Sequence, residues 1–122
     1  GANGDHGSFY FRRFEELRAI MERYGDDGKQ MWFTEFGWPS SSDNLWRFPR
    51  ATQISEGQQA EWLVQAFQLA KDRGYVGGMF LWNLNFAPSA EPDDQWGKAA
   101  FSVLRRDWSP RPAYGALGSM PK

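Results

Sequence analysis

Two short apolar runs limit most strongly what this chain can fold into. The first is Gln30-Met31-Trp32-Phe33-Thr34-Glu35-Phe36-Gly37-Trp38-Pro39, and the second is Tyr75-Val76-Gly77-Gly78-Met79-Phe80-Leu81-Trp82-Asn83. Runs of this length and β-forming content, closed by turn residues, read as buried parallel strands. A helical stretch separates them, so they pair in parallel through a right-handed crossover. Two strands do not make a stable sheet alone, so the reading requires further strands, from upstream chain or from another copy.

The helical stretches show apolar spacing near 3.6. Tyr10, Phe14, Leu17 and Met21 fall on one face of a first helix, which Gly25 and Asp26-Asp27-Gly28 stop. Ser55-Glu56-Gly57-Gln58 has capping-box form and opens a second helix with Ala60, Leu63, Val64, Phe67 and Ala70 inward and Gly74 as its stop. Ser109-Pro110-Arg111-Pro112 supplies a cap and prolines for a last helix through Tyr114 and Leu117. The pair Gly77-Gly78 weakens a strand and points to close helix packing or a bulge. Loops from Pro39 to Thr52 and from Ala87 to Gln95 lie at the same end of the strands.

Composition removes several functions. Fourteen basic and fifteen acidic residues give a net charge of −1 and no footprint for nucleic acid or an anionic membrane. No transmembrane span or signal segment is visible. With no cysteine and a single histidine, the chain offers no disulfide and no transition-metal set, and we expect neither metal nor cofactor. Glu91, Asp93 and Asp94 read as a solvated acidic loop, with a calcium site as the alternative. At 122 residues, opening on Gly1-Ala2-Asn3-Gly4, the chain is too short for an eight-stranded barrel of roughly 250 residues and reads as part of something longer.

The polar features gather at one place. Glu35 closes the first apolar run just before Gly37 and Pro39, at the strand's carboxyl end, where parallel α/β folds build their sites. Trp32, Trp38 and Trp46 flank it. A carboxylate beside flat apolar rings suits a sugar: the acid attacks or stabilises an anomeric carbon, and indoles stack on pyranose faces. The plainer alternatives are a strand-end acid that caps a loop or pairs with an arginine, and tryptophans that pack a core.

Trp32-Phe33-Thr34-Glu35-Phe36-Gly37-Trp38, Gly78-Met79-Phe80-Leu81-Trp82-Asn83 and Asp107-Trp108-Ser109-Pro110-Arg111-Pro112-Ala113-Tyr114 together closely resemble the last quarter of retaining glycoside hydrolases of the (β/α)8-barrel clan that includes cellulases, β-mannanases and β-xylosidases. The resemblance spans essentially all of residues 1–122, as one partial TIM barrel covering roughly helix six through strand eight and the closing helix. It implies that Glu35, at the end of strand seven, is the catalytic nucleophile and that Trp82, at the end of strand eight, floors the subsite of the attacked sugar. Trp38, Trp46 and Asn83 are further substrate-binding candidates, and Asn83 and Asn85 alternatively close the turn. His6 matches only loosely the family's His or Tyr after strand six, and an ordinary loop role is its simpler reading.

One departure is large. The clan's acid/base glutamate, preceded by Asn after strand four, has no counterpart, because the chain contains no Asn-Glu pair. The expectation is therefore a glycosidase acting on β-linked poly- or oligosaccharide whose proton donor lies upstream, with the chain alone inactive. The expected partners are the carbohydrate and either the missing barrel or a second copy. By analogy the parent is secreted or at the cell surface. The competing readings are a non-catalytic carbohydrate-binding half-barrel and a folding fragment that functions only after docking.

Overall fold

The computed structural model describes residues 11–40, 54–86 and 97–121. Their order is α1 (Arg13–Arg23), β1 (Met31–Phe36), α2 (Glu56–Arg73), β2 (Val76–Leu81), a 3-10 turn (Lys98–Phe101) and α3 (Pro112–Gly118). The strands pair in parallel, as their separation by a helix requires.

Local chemistry accounts for the element ends. Gly25 and Gly74 adopt the left-handed conformation just past α1 and α2, where a side chain would be strained. The Ser55 hydroxyl accepts from Gln58 N–H and the Gln58 side chain accepts from Ser55 N–H, completing the expected capping box. The last helix differs from expectation at its start. Arg111 holds its N-cap position without a side-chain cap, Pro112 opens the helix, and the Ser109 hydroxyl donates to Asp107 instead.

The core lies between the sheet, α2 and α3, around Ala60, Leu63, Val103 and Ala113, with Phe36, Trp38, Leu81 and Leu117 packed against it. From the expected α2 face, Ala60, Leu63 and Ala70 are buried, while Val64 and Phe67 are half-buried. Of the α1 face, Phe14 is buried and Met21 half-buried, whereas Leu17 is 49 % exposed. Leu17, Ile20 and Tyr24 instead form an outward apolar stripe.

Two irregularities in the strand pairing shape the sheet. From Met31 to Trp32 the partner strand advances from Val76 to Gly78, and the Trp32 indole lies over the two glycines. A Cβ on Gly77 or Gly78 would meet that ring at 2.7 and 2.9 Å. The glycine pair thus serves both a bulge and the seating of Trp32. The second irregularity falls between Phe33 and Phe36. Both phenylalanines face the helices, Phe33 against Phe14 at 5.0 Å and Phe36 against Phe67 at 5.1 Å between ring centroids. Thr34 and Glu35 are left exposed between them. A bulge of this kind re-aims side chains.

Candidate active site

The carboxyl ends of β1 and β2 meet backbone to backbone. Trp82 N–H donates to Phe36 O at 2.8 Å, one residue beyond the Phe36–Leu81 pair. Gly37 follows, and a Cβ there would lie 2.5 Å from Trp82 O. Only glycine permits this approach, which sets Glu35 and Trp82 on adjacent strand ends.

Glu35 is exposed, and its carboxylate has no hydrogen-bond or ion-pair partner among the described residues. The arginine-paired alternative therefore finds no support within the described chain. Trp82 is half-buried and stacks on Phe86, with ring centroids 4.9 Å apart and planes 28° from parallel. Lys98 Nζ stands 5.9 Å from the Phe86 centroid. An accessible carboxylate and an aromatic shelf thus stand on adjacent strand ends.

The other sequence candidates fare differently. Trp38 is a packing residue: its ring lies against Phe11 at 5.5 Å and Trp62 at 5.8 Å, on the helix-covered side shared with Phe36. The ring is half-buried in this aromatic packing. Asn83 is 5 % exposed and its carboxamide is engaged within the chain. Its Oδ1 accepts from Ser102 Oγ at 2.6 Å and its Nδ2 donates to Lys98 O at 3.0 Å. Asn83 therefore closes the turn in this arrangement. Asn85 is half-buried, and its Nδ2 donates to Arg105 O at 3.4 Å. His6 and Trp46 lie outside the described residues, as do Glu91, Asp93 and Asp94.

Sequence reasoning missed the polar groups that hold these strand ends. Gln59 is fully buried, and its Nε2 donates to Trp38 O at 2.9 Å and to Ala100 O at 3.2 Å. Ser40 N–H donates to Ala100 O at 2.9 Å. Buried Arg111 donates to the Ser40 hydroxyl and lies 3.5 Å from Glu56, which also accepts from Arg105 at 2.6 Å. Ser102 Oγ accepts from Phe86 N–H at 2.9 Å while donating to Asn83. The segments after β1 and β2 are thereby tied to one hydrogen-bonded layer. A signal for Gln59 existed: it falls on the stripe shared by Leu63, Ala66 and Ala70, where a polar residue needs partners.

Among the described residues no group of His, Asp or Glu could hold a metal ion, and no helix is long and apolar enough to cross a membrane.

Glycoside hydrolases are among the solved structures that this fold resembles. No family model and no curated protein matches the chain. A family 39 glycoside hydrolase from the gut symbiont Bacteroides cellulosilyticus WH2 matches over 96% of this chain and 23% of its own, with 25% identity and a TM-score of 0.60. The Ruminococcus gnavus β-glucuronidase matches over 89% of this chain and 18% of its own, with 26% identity and a TM-score of 0.54. The Bifidobacterium dentium β-glucuronidase, complexed with coumarin-3-O-glucuronide, matches over 93% and 19%, with 21% identity and a TM-score of 0.58. The chain spans about a fifth of the length of these proteins.

Proposed function

We propose that this chain carries the nucleophile of a retaining glycosidase built on a (β/α)8 barrel and acting on a β-linked poly- or oligosaccharide. The observation that carries the reading is Glu35: exposed, without a partner among the described residues, and beside Trp82 on the next parallel strand. The similarity to solved glycoside hydrolases supports it.

In this reading a sugar stacks on the Trp82 shelf with its anomeric carbon toward Glu35. The Glu35 carboxylate forms a bond to that carbon as the glycosidic C–O bond breaks, and an acid elsewhere gives its proton to the leaving oxygen. Water, deprotonated by the same group, then cleaves the glycosyl ester and regenerates Glu35. The acid/base must stand roughly 5 to 5.5 Å from Glu35. It comes from further β/α units of the same protein, and the chain alone therefore lacks turnover.

The surface fits a need for such units. Trp32 and Phe80 stack on the sheet face away from the helices, with ring centroids 6.4 Å apart, and are 60 % and 55 % exposed. Added strands on the sheet edges and a helix across Leu17, Ile20 and Tyr24 would cover both apolar faces. Without them, a second copy of the chain is the expected occupant.

The test is Glu35→Gln in the complete enzyme. It should cut hydrolysis of aryl β-glycosides by about 10⁴-fold or more while oligosaccharide binding persists, because the change is nearly isosteric. Residual turnover within tenfold of the native enzyme would overturn the assignment.

A further inference from the structure

The Leu104–Pro110 segment folds into a tight hairpin whose tip holds Trp108 in an unusual state. Its φ is +67°, the one positive value at a non-glycine among the described residues, and it is 62 % exposed. Bulky side chains are disfavoured in the left-handed region, where Gly or Asn sits without strain. The conformation is over-determined. Trp108 N–H donates to Arg105 O and Arg105 N–H to Ser109 O, each at 2.9 Å. Asp107 Oδ1 accepts from Ser109 N–H at 3.0 Å and from Ser109 Oγ at 2.6 Å, and these bonds hold its carboxyl below the ordinary range. Arg105 donates to Pro110 O at 2.7 Å and to Glu56 of α2 at 2.6 Å. Buried Val103 and Leu104 donate their N–H groups to Leu84 O, just beyond Trp82. The hairpin is therefore a rigid mount rooted at the same end of the sheet as the candidate active site.

The indole itself takes no part in this scaffold. It makes no ring or cation contact among the described residues, and every bond that fixes the turn comes from backbone, Arg105, Asp107 or Ser109. Its neighbours Arg106 and Asp107 are exposed and polar, so along the hairpin the ring is flanked by charged and not by further apolar side chains. A protein interface needs more, on the order of 1,000 Å² with a buried core. A membrane surface needs a basic cluster, which the adjacent Asp107 disrupts. One rigid indole with polar flanks fits the apolar face of a pyranose, bound without ordering cost.

We propose that Trp108 is a second carbohydrate-binding platform, separate from the Trp82 shelf and able to hold a distal stretch of a polysaccharide chain. It shares with the proposed function only its ligand class, and the two are separable by experiment.

The full chain, labelled with ¹⁵N, carries seven tryptophans whose indole N–H signals report each site. The Trp108 signal is the one lost in Trp108→Gly, and the Trp82 signal the one lost in Trp82→Phe. Titration with cellohexaose, xylohexaose or mannohexaose should shift the Trp108 signal saturably with at least one of them, and should still do so in Trp82→Phe. Trp108→Gly should weaken that binding roughly three- to tenfold. Its thermal midpoint should equal or exceed the native one, because glycine takes the positive φ freely. A Trp108 signal unmoved by all three sugars overturns the proposal, whatever Trp82 does. A lowered midpoint in Trp108→Gly also overturns it, since the indole would then be holding the fold. Movement of Trp108 without Trp82 would uphold this site and count against the active-site reading.

Discussion

Gly37→Ala tests the junction that sets Glu35 beside Trp82. An added Cβ would stand 2.5 Å from Trp82 O, well inside the about 3.3 to 3.6 Å at which carbon and carbonyl oxygen ordinarily meet. The obstacle is backbone, so no rotamer change relieves it, and Phe101 Cδ1 at 3.5 Å closes the other side. The strand ends must part, which strains the 2.8 Å bond from Trp82 N–H to Phe36 O. Overpacking of this kind costs about 1 to 3 kcal/mol and the weakened hydrogen bond about 1 more, so the expected loss is about 2 to 4 kcal/mol. Urea unfolding followed by tryptophan fluorescence would read it as a lower midpoint at unchanged slope. Gly115→Ala is the control: nothing lies within 4 Å of a Cβ there, and α3 should gain about 0.5 to 1 kcal/mol. A Gly37→Ala variant within 0.5 kcal/mol of the native chain would refute the junction as described.

Three further outcomes follow from the same geometry. Asn83→Ala removes the partner of both Ser102 Oγ and Lys98 O in a buried setting and should cost about 2 to 3 kcal/mol in the same urea assay, with a loss under 0.5 kcal/mol counting against it. Glu15 is held below its usual 4.5 chiefly by its hydrogen bond from Arg12 and further by Arg73, so its folded-state pKa is depressed. Its stabilisation is fully present above the usual 4.5 and is lost as pH falls through the lowered folded pKa; because the pair is partly exposed, the effect is at most about 1 kcal/mol, and Glu15→Gln should flatten the acid limb of stability against pH. Sedimentation of the chain at low micromolar concentration should show self-association through the Trp32–Phe80 face and the sheet edges, whereas a monodisperse, cooperatively unfolding monomer would contradict the need for covering units.

What the sequence conveyed depended on the range of each interaction. The parallel strands, the Ser55 box and the Gly25 and Gly74 stops are local, and their residues carry the signal directly. The exposure of Glu35 was not legible, because it arises from the irregularity between Phe33 and Phe36, which only the pairing with β2 creates. Trp38 read as a loop tryptophan because its packing depends on Trp62 and Phe11, distant in sequence. Leu17 fell on the correct helical period, yet one face of a helix does not reveal which neighbour covers it. Asn83 sat where an amide serves a ligand or a turn, and the partner its carboxamide takes, Ser102, lies nineteen positions on.

The most direct measurement is covalent labelling of the complete enzyme with 2-deoxy-2-fluoroglycosyl fluorides of the β-gluco, β-xylo and β-manno series, followed by peptide mass spectrometry. The account predicts a time-dependent loss of activity and a glycosyl ester on Glu35, within the peptide spanning Met31 to Trp38. A label on any other carboxylate of the folded, active enzyme would contradict it.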